Sequence, residues 1–199
     1  MRLLLIGATG TIGSIVHEEL KEDAEIITAG IDQADLLVDM TSTESITQMY
    51  KQTGTVDAVI NTAGIEHYGL LQEMTPEQNQ IAVQSKLLGQ INLVLLGMDT
   101  LSDNGSFTLT TGILMDDPIV KGASAAMANG GIRAFVQTAA LELPRGLRIN
   151  HVSPSILEAS VEKNGAMFQG FEPVSAKRVG LAYRKSIMGA QTGKGFYVY

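Results

Sequence analysis

Seven residues near the start of the chain, GATGTIG, have types and spacing that could hold a phosphate. Gly7, Gly10 and Gly13 recur at every third position between a short apolar run and a longer amphipathic one. Glycines at such a junction permit a tight turn and let backbone N–H groups approach an anion at a helix N-terminus, where the helix dipole also favours negative charge. Directly after a strand and before a helix, the stretch points to the pyrophosphate of a dinucleotide, held by Gly7, Thr9, Gly10, Thr11, Ile12 and Gly13. Glycines serving only helix–sheet packing would give the same spacing. The corner that would choose between dinucleotides reads TAGIDQAD, with Asp32 and no Arg or Lys. An acid there favours a free ribose 2′-hydroxyl and a basic residue a 2′-phosphate, so the reading leans to NAD and keeps NADP open. Asp39 and Met40, a few residues on, are placed to flank an adenine.

Other reactive side chains are few. The chain has no cysteine, which excludes disulfides, thiolate metal sites and a Cys nucleophile. His17, His67 and His151 lie far apart without metal-ligand spacing, so each is expected to be solvated or satisfied, and no metal site is expected. His67 and Tyr68 follow NTAG in a loop, where either could reach a substrate, although an ordinary surface position is the plainer expectation. Tyr183, Tyr197 and Tyr199 fall in late elements and are expected in the core or at its rim. MDDP (115–118) and Met167-Phe168 could shape an apolar pocket.

Short apolar runs alternate with longer amphipathic ones to position these groups. Strands are expected at 3–6, 25–29, 36–39, 57–64, 105–111 and 147–154, with a last one in GKGFYVY. Helices are expected at 11–22, at 42–54 with Ser42 capping and Gly54 stopping it, at 75–98, through 122–143, and at 172–188. Thr75-Pro76-Glu77 supplies an N-cap, a proline at the first helical position and an acid in the first turn. Strands alternating with helices specify a mostly parallel sheet covered on both faces, a Rossmann-like, doubly wound three-layer αβα sandwich. Ligands bind beyond the carboxyl ends of such strands, where the chain order reverses. No repeat or linker interrupts residues 1–199, so a single domain is expected.

Composition narrows the partners. Fourteen basic against twenty-one acidic residues give a net charge of −7, which disfavours nucleic acid and anionic membranes. The apolar run in MRLLLIGATG ends after five residues, too short for a signal-peptide core or a membrane span, and a cytoplasmic protein is the expectation.

With GATGTIG, then NTAG (Asn61–Gly64), then LRINHVSPS, the chain resembles the short-chain dehydrogenase/reductase family, in order and over nearly its whole length. The resemblance implies a seven-stranded sheet, a nicotinamide cofactor and a homodimer or homotetramer built on two helices. It implies that Asn61, Thr62, Ala63 and Gly64 line the adenosine side, and that Pro154 and Ser155 lie near the nicotinamide. The family usually has Gly where Ser155 stands. Its catalytic set is a Ser after the fifth strand, a Tyr and a Lys four apart on the next helix, and an Asn on the helix before. Here the Tyr position holds Ala125, the Lys position Asn129 and the Ser position Gly112, with the hydroxyl of Thr111 adjacent. KLLG matches the family's Asn-x-x-Gly, which puts Lys86 at the Asn position. Lys and Asn look exchanged between two helices. Lys86, Thr111 and Asn129 are therefore the candidate catalytic residues, with Asn129 also a candidate ribose contact.

Three functions stay open: an NAD(P)-dependent oxidoreductase of a small carbonyl or alcohol with a rearranged acid–base set, a cofactor-binding sensor, and a lyase or isomerase using nicotinamide transiently. One cue to assembly is independent of the resemblance. Ala126, Gly130 and Ala134 form a stripe of small residues that lets another helix approach closely, and Ile81, Leu88, Ile91 and Leu95 line one side of the 75–98 helix.

Overall fold

Leu3, Leu4, Leu5 and Ile6 are buried on both faces of the first strand, β1 (Arg2–Ile6), as a central parallel strand requires. The computed structural model describes residues 1–199. It adds β2 (Glu25–Gly30), β3 (Leu36–Leu37), β4 (Val56–Asn61), β5 (Leu101–Thr110), β6 (Arg148–Pro154) and β7 (Gly195–Val198). All seven strands run parallel in the order β3-β2-β1-β4-β5-β6-β7. The chain winds outward from β1 to β3, then returns to lay β4 on the other side of β1, pairing Ile6 with Asn61. That reversal opens a crevice at the carboxyl ends of β1 and β4.

Alternation along β1 sends side chains to two layers. Leu4 and Ile6 join Met49, Leu93, Phe107, Leu109 and Ile132, beneath helices α2 (Thr43–Thr53), α4 (Gly89–Gly97) and α5 (Ala123–Glu142). Leu3 and Leu5 join Val16, Leu20, Val179 and Tyr183, beneath α1 (Thr11–Leu20) and α7 (Ala176–Met188). The expected helix starts hold. The Ser42 side chain accepts from Ser45 N, and Thr75 with Gln78 forms a full capping box ahead of Pro76.

Three differences from the sequence reading have physical causes. The 75–98 helix is not uniform: α3 (Pro76–Ile81) runs into a π-helical segment (Ala82–Leu88) before α4. The wider turn takes the Gly89 N–H to Gln84 O. The buried Gln90 amide then donates to both Lys86 O and Thr110 O, while its oxygen accepts from Thr110 N. One side chain thus pins the π turn to the end of β5. The fifth strand starts at Leu101, ahead of the expected 105, because a register shift between Val56 and Ala58 lets it accommodate the extra residues. Between Pro154 and α7 short turns and α6 (Val161–Asn164) form a wall where no element was expected. The helical run Pro76–Thr100 is long and apolar enough to cross a membrane by composition alone, yet Leu93 and Val94 within it belong to the core.

Candidate active site

At the open end of β1 the three glycines have different duties. Gly7 has φ +84°, and a Cβ there would lie 2.8 Å from Ala63 N. A Cβ on Gly13 would lie 2.0 Å from Gly7 O, so that glycine lets α1 pack against the turn. Gly10 meets nothing closer than 3.4 Å and is the N-cap of α1, without a side-chain cap bond and with no acid in the first turn. The first N–H groups of α1 are therefore free to take an anion. A cavity of about 390 Å³ beside this turn is lined by Gly7, Thr9, Gly10, Asp32, Asp39, Met40, Thr62, Ala63, Gly64 and Ser85. The Asp39 carboxylate accepts from the hydroxyl and the N–H of Thr41, which hold it below the usual carboxylate range. Asn61, expected to line this side, is instead fully buried and donates to Ala63 O at 2.7 Å, shaping the NTAG turn from beneath.

A second cavity of about 330 Å³ continues past Thr11 and Ile12 at the start of α1. Lys86 enters it from the π segment, its stem crossing Gly64. A Cβ on that glycine would lie 3.0 Å from Lys86 Cδ and 3.2 Å from its Cα. Lys86 Nζ stands 3.0 Å from Glu66 Oε1, and the two side chains are only 11% and 16% exposed. The Tyr68 hydroxyl donates to Glu66 Oε2 at 2.8 Å. Burial acts to raise the Glu66 pKa, but the Lys86 ammonium, aided by Tyr68 and the Asn129 amide, overrides it and holds the carboxyl below its ordinary range. Burial, and then the Glu66 charge, push the Tyr68 phenol up, so it remains a donor.

Asn129 and Ser155 line the same cavity, 2% and 5% exposed. Asn129 Oδ1 and Ser155 Oγ have no hydrogen-bond partner within the chain. Buried polar atoms left unpaired are costly, and two of them on residues that line one cavity mark where ligand groups belong. Together with the uncapped helix and the glycine turn, they fit a dinucleotide whose far ribose and amide offer hydrogen-bond donors. Pro154 also lines the cavity, with Ile113, Leu114, Met167 and Phe168 as an apolar wall.

Other expectations are corrected. Thr111 lines this cavity, but its hydroxyl is already engaged: it lies 2.8 Å from His151 Nδ1 and donates to Val152 O. His151 is satisfied, as expected, and burial, then the Arg133 charge, take its pKa down to about 4. Ala125, at the Tyr position, is fully buried against Ile113 and Leu114, so α5 brings no phenol. The phenol lining the cavity is Tyr68, from the loop after β4, whereas His67 stays outside. Asp116 of MDDP does not line this cavity; it pairs with Arg133 and accepts from Tyr199. Glu66, Ser85 and Gln90 were not singled out from the sequence. Gln90 stands four residues after Lys86 on the helix and Glu66 two after NTAG, the signals that could have found them.

A family model described as Enoyl-(Acyl carrier protein) reductase matches residues 7–186. The chain belongs to the short-chain dehydrogenase/reductase family. A similar solved structure is the protein lin1944 from Listeria innocua, 56% identical over the whole of both chains with a TM-score of 0.99. A small-chain dehydrogenase solved in complex with NADPH is 25% identical over 100% of this chain and 96% of its own, with a TM-score of 0.88. An Actinorhodin Polyketide Ketoreductase with NADPH, at 19% identity and a TM-score of 0.86 over 99% and 95% of the two chains, shares the fold. No curated protein matches the sequence. In this short-chain dehydrogenase/reductase, the cavity beyond the nucleotide turn holds a lysine, a carboxylate, a phenol and an amide drawn from three separate elements.

Proposed function

We propose that the chain is a nicotinamide-dependent oxidoreductase that interconverts a small carbonyl and its alcohol, with Lys86 as proton donor. The observation that carries this is the convergence of the Lys86 ammonium with the unpaired Asn129 and Ser155 oxygens in one cavity, continuous with the uncapped start of α1. A bound nicotinamide supplies or accepts the hydride. Gly10 to Gly13 take the pyrophosphate, Asp39 to Gly64 the adenosine, and Asn129 and Ser155 the donors of the far ribose and amide. As hydride reaches the carbonyl carbon, charge grows on the oxygen. Lys86 stabilises that charge and passes a proton to it, then regains one from water; the alcohol forms with atoms and charge balanced. In oxidation the neutral amine takes the proton back. The apolar wall and the neutral Lys86–Glu66 pair suit an uncharged substrate.

The test is nicotinamide absorbance followed across a panel of small carbonyls and alcohols. Turnover with at least one supports the reading. A cofactor-binding sensor is the second reading, favoured by the apolar burial of Ala125 at the Tyr position. Tight nucleotide binding with no turnover across the panel would move the conclusion there.

NAD is proposed over NADP because Asp32 lines the adenosine cavity and no Lys or Arg does. NADH is expected to bind about tenfold or more tighter than NADPH, with Asp32→Arg reversing the order, since one charge pair is worth roughly that factor near a surface. Equal affinities by fluorescence titration would remove the preference.

We also propose a homodimer or homotetramer through α4 and α5. In one chain Met127 and Ala134 stand exposed, and a Cβ on Gly130 would meet nothing within 4 Å. Gly130→Leu is therefore expected to keep or improve stability, by up to about 1 kcal/mol, while shifting the protein toward monomer on a sizing column. A wild type that elutes as monomer at micromolar concentration would refute the assembly.

A further inference from the structure

We propose that Glu66 is the positioning residue of this site: its carboxylate anchors the Lys86 ammonium at the cavity wall, and Tyr68 holds that carboxylate from the loop side. The inference rests on the reading of Lys86 as proton donor and deepens it.

The loop that carries Glu66 is fastened to the π segment that carries Lys86. Ile65 N donates to Ser85 Oγ at 3.0 Å, one residue from each member of the pair. Gly64, held at φ +148°, lets the lysine stem pass over the loop backbone. The ion pair therefore closes a frame already set by backbone contacts. A lysine enclosed in a largely apolar cavity without a countercharge either loses its proton or swings toward solvent. Glu66 supplies that countercharge. Its two oxygens are divided, Oε1 beside Lys86 Nζ and Oε2 accepting from Tyr68, so the carboxylate cannot rotate away without losing a partner.

The surroundings leave the pair isolated. The loop presents Glu66 and Tyr68, α5 presents the neutral Asn129 amide, and the hydroxyl of Thr111, just after β5, is engaged by His151. No other cation or carboxylate lines the cavity. When Lys86 has given its proton to the substrate oxygen, an ionised Glu66 stands beside a neutral amine. That excess negative charge draws the next proton from water to Nζ and resets the site. Proton transfer to the substrate remains downhill despite the carboxylate, because an alkoxide is a far stronger base than an amine.

Three variants of the full chain test this without requiring a substrate. Glu66→Gln is expected to raise the acylation of Lys86 by acetic anhydride at mildly alkaline pH by about tenfold, the equivalent of one charge interaction. The reading is taken by mass spectrometry against the exposed lysines of the same sample, with NADH binding as the check on folding. Glu66→Asp keeps the charge and should return most of the protection, a rescue that packing alone would not produce. Lys86→Met is expected to move the Glu66 carboxyl titration, read by carbon-13 NMR, to higher pH, because the Lys86 charge is the main influence set against burial, with only Tyr68 and Asn129 left to oppose it. Movement of both signals supports the proposal; if either stays put, it is overturned. With a turned-over carbonyl in hand, Glu66→Gln should lower kcat about tenfold at unchanged NADH KM, and an unchanged kcat would also overturn it. A wild type without turnover whose two signals both move supports the pairing and counts against the oxidoreductase reading alone.

Discussion

Replacing Lys86 with Met is expected to lower carbonyl turnover by about two to three orders of magnitude, the usual worth of a general acid, while NADH affinity stays within about threefold. The lysine lies beyond the cavity beside the glycine turn and its methylene stem is matched by Met over Gly64, so the change removes charge and proton more than shape. Stability should respond as well. Glu66 is left as a buried carboxylate with only Tyr68 and Asn129 to support it, and breaking such a pair from one side costs about 3 kcal/mol or more. In the wild type the Glu66 pKa is depressed, so its contribution is present above the unfolded carboxylate range and is lost as pH falls through the lower folded value. In Lys86→Met the sign reverses: acidification neutralises Glu66 and relieves the penalty. The double variant Lys86→Met/Glu66→Gln should recover most of the stability and none of the turnover. Urea unfolding of the single and double variants at neutral and mildly acid pH checks both statements. Equal stability of wild type and Lys86→Met would mean the pair is solvated in practice.

Gly13→Ala is expected to reduce NADH affinity by about a hundredfold or more and to destabilise the fold by several kcal/mol, because overpacking here has no soft neighbour. The new Cβ would lie 2.0 Å from Gly7 O and 2.7 Å from Gly7 C, both backbone atoms. The β1–α1 turn would have to open, and the N–H groups aimed at the pyrophosphate would go with it. Gly10→Ala provides the contrast. Its nearest contact would be 3.4 Å, so the fold should hold to within about 1 kcal/mol, the worth of a helix N-cap. Fluorescence titration and urea unfolding on the two variants separate loss of the turn from crowding at the anion site. Near-native NADH binding by Gly13→Ala would place the nucleotide elsewhere.

The layers and the parallel sheet were legible because the forces that set them are local and repetitive. LLLI must be buried on both faces, Ser42 and Thr75-Pro76 end the preceding loops, and glycines at 7 and 13 leave room only a strand–helix turn needs. The π segment was not legible. Nothing in AVQSKLL opposes an ordinary α-helix; the wider turn is held from outside by Gln90, which reaches across to β5. The direction of the Thr111 hydroxyl was hidden for a similar reason, since its partner His151 lies 40 positions away on a neighbouring strand. Lys86 and Asn129 could be placed by the family resemblance, because each lies in a helix whose sequence matches a family segment. Glu66 could not, because an acid in a loop has no period. Only the crossing of loop and π segment shows that this carboxylate meets the lysine.

The central claim is that a nicotinamide-linked reaction in this cavity takes its proton from Lys86. The most direct measurement is the rate of NADH consumption by wild type and by Lys86→Met, at saturating NADH, with the carbonyl of the panel that wild type reduces fastest. A loss of about a hundredfold or more in kcat, with NADH affinity retained, is the result predicted here. Turnover by Lys86→Met equal to wild type would contradict it and return the proton donor to another group.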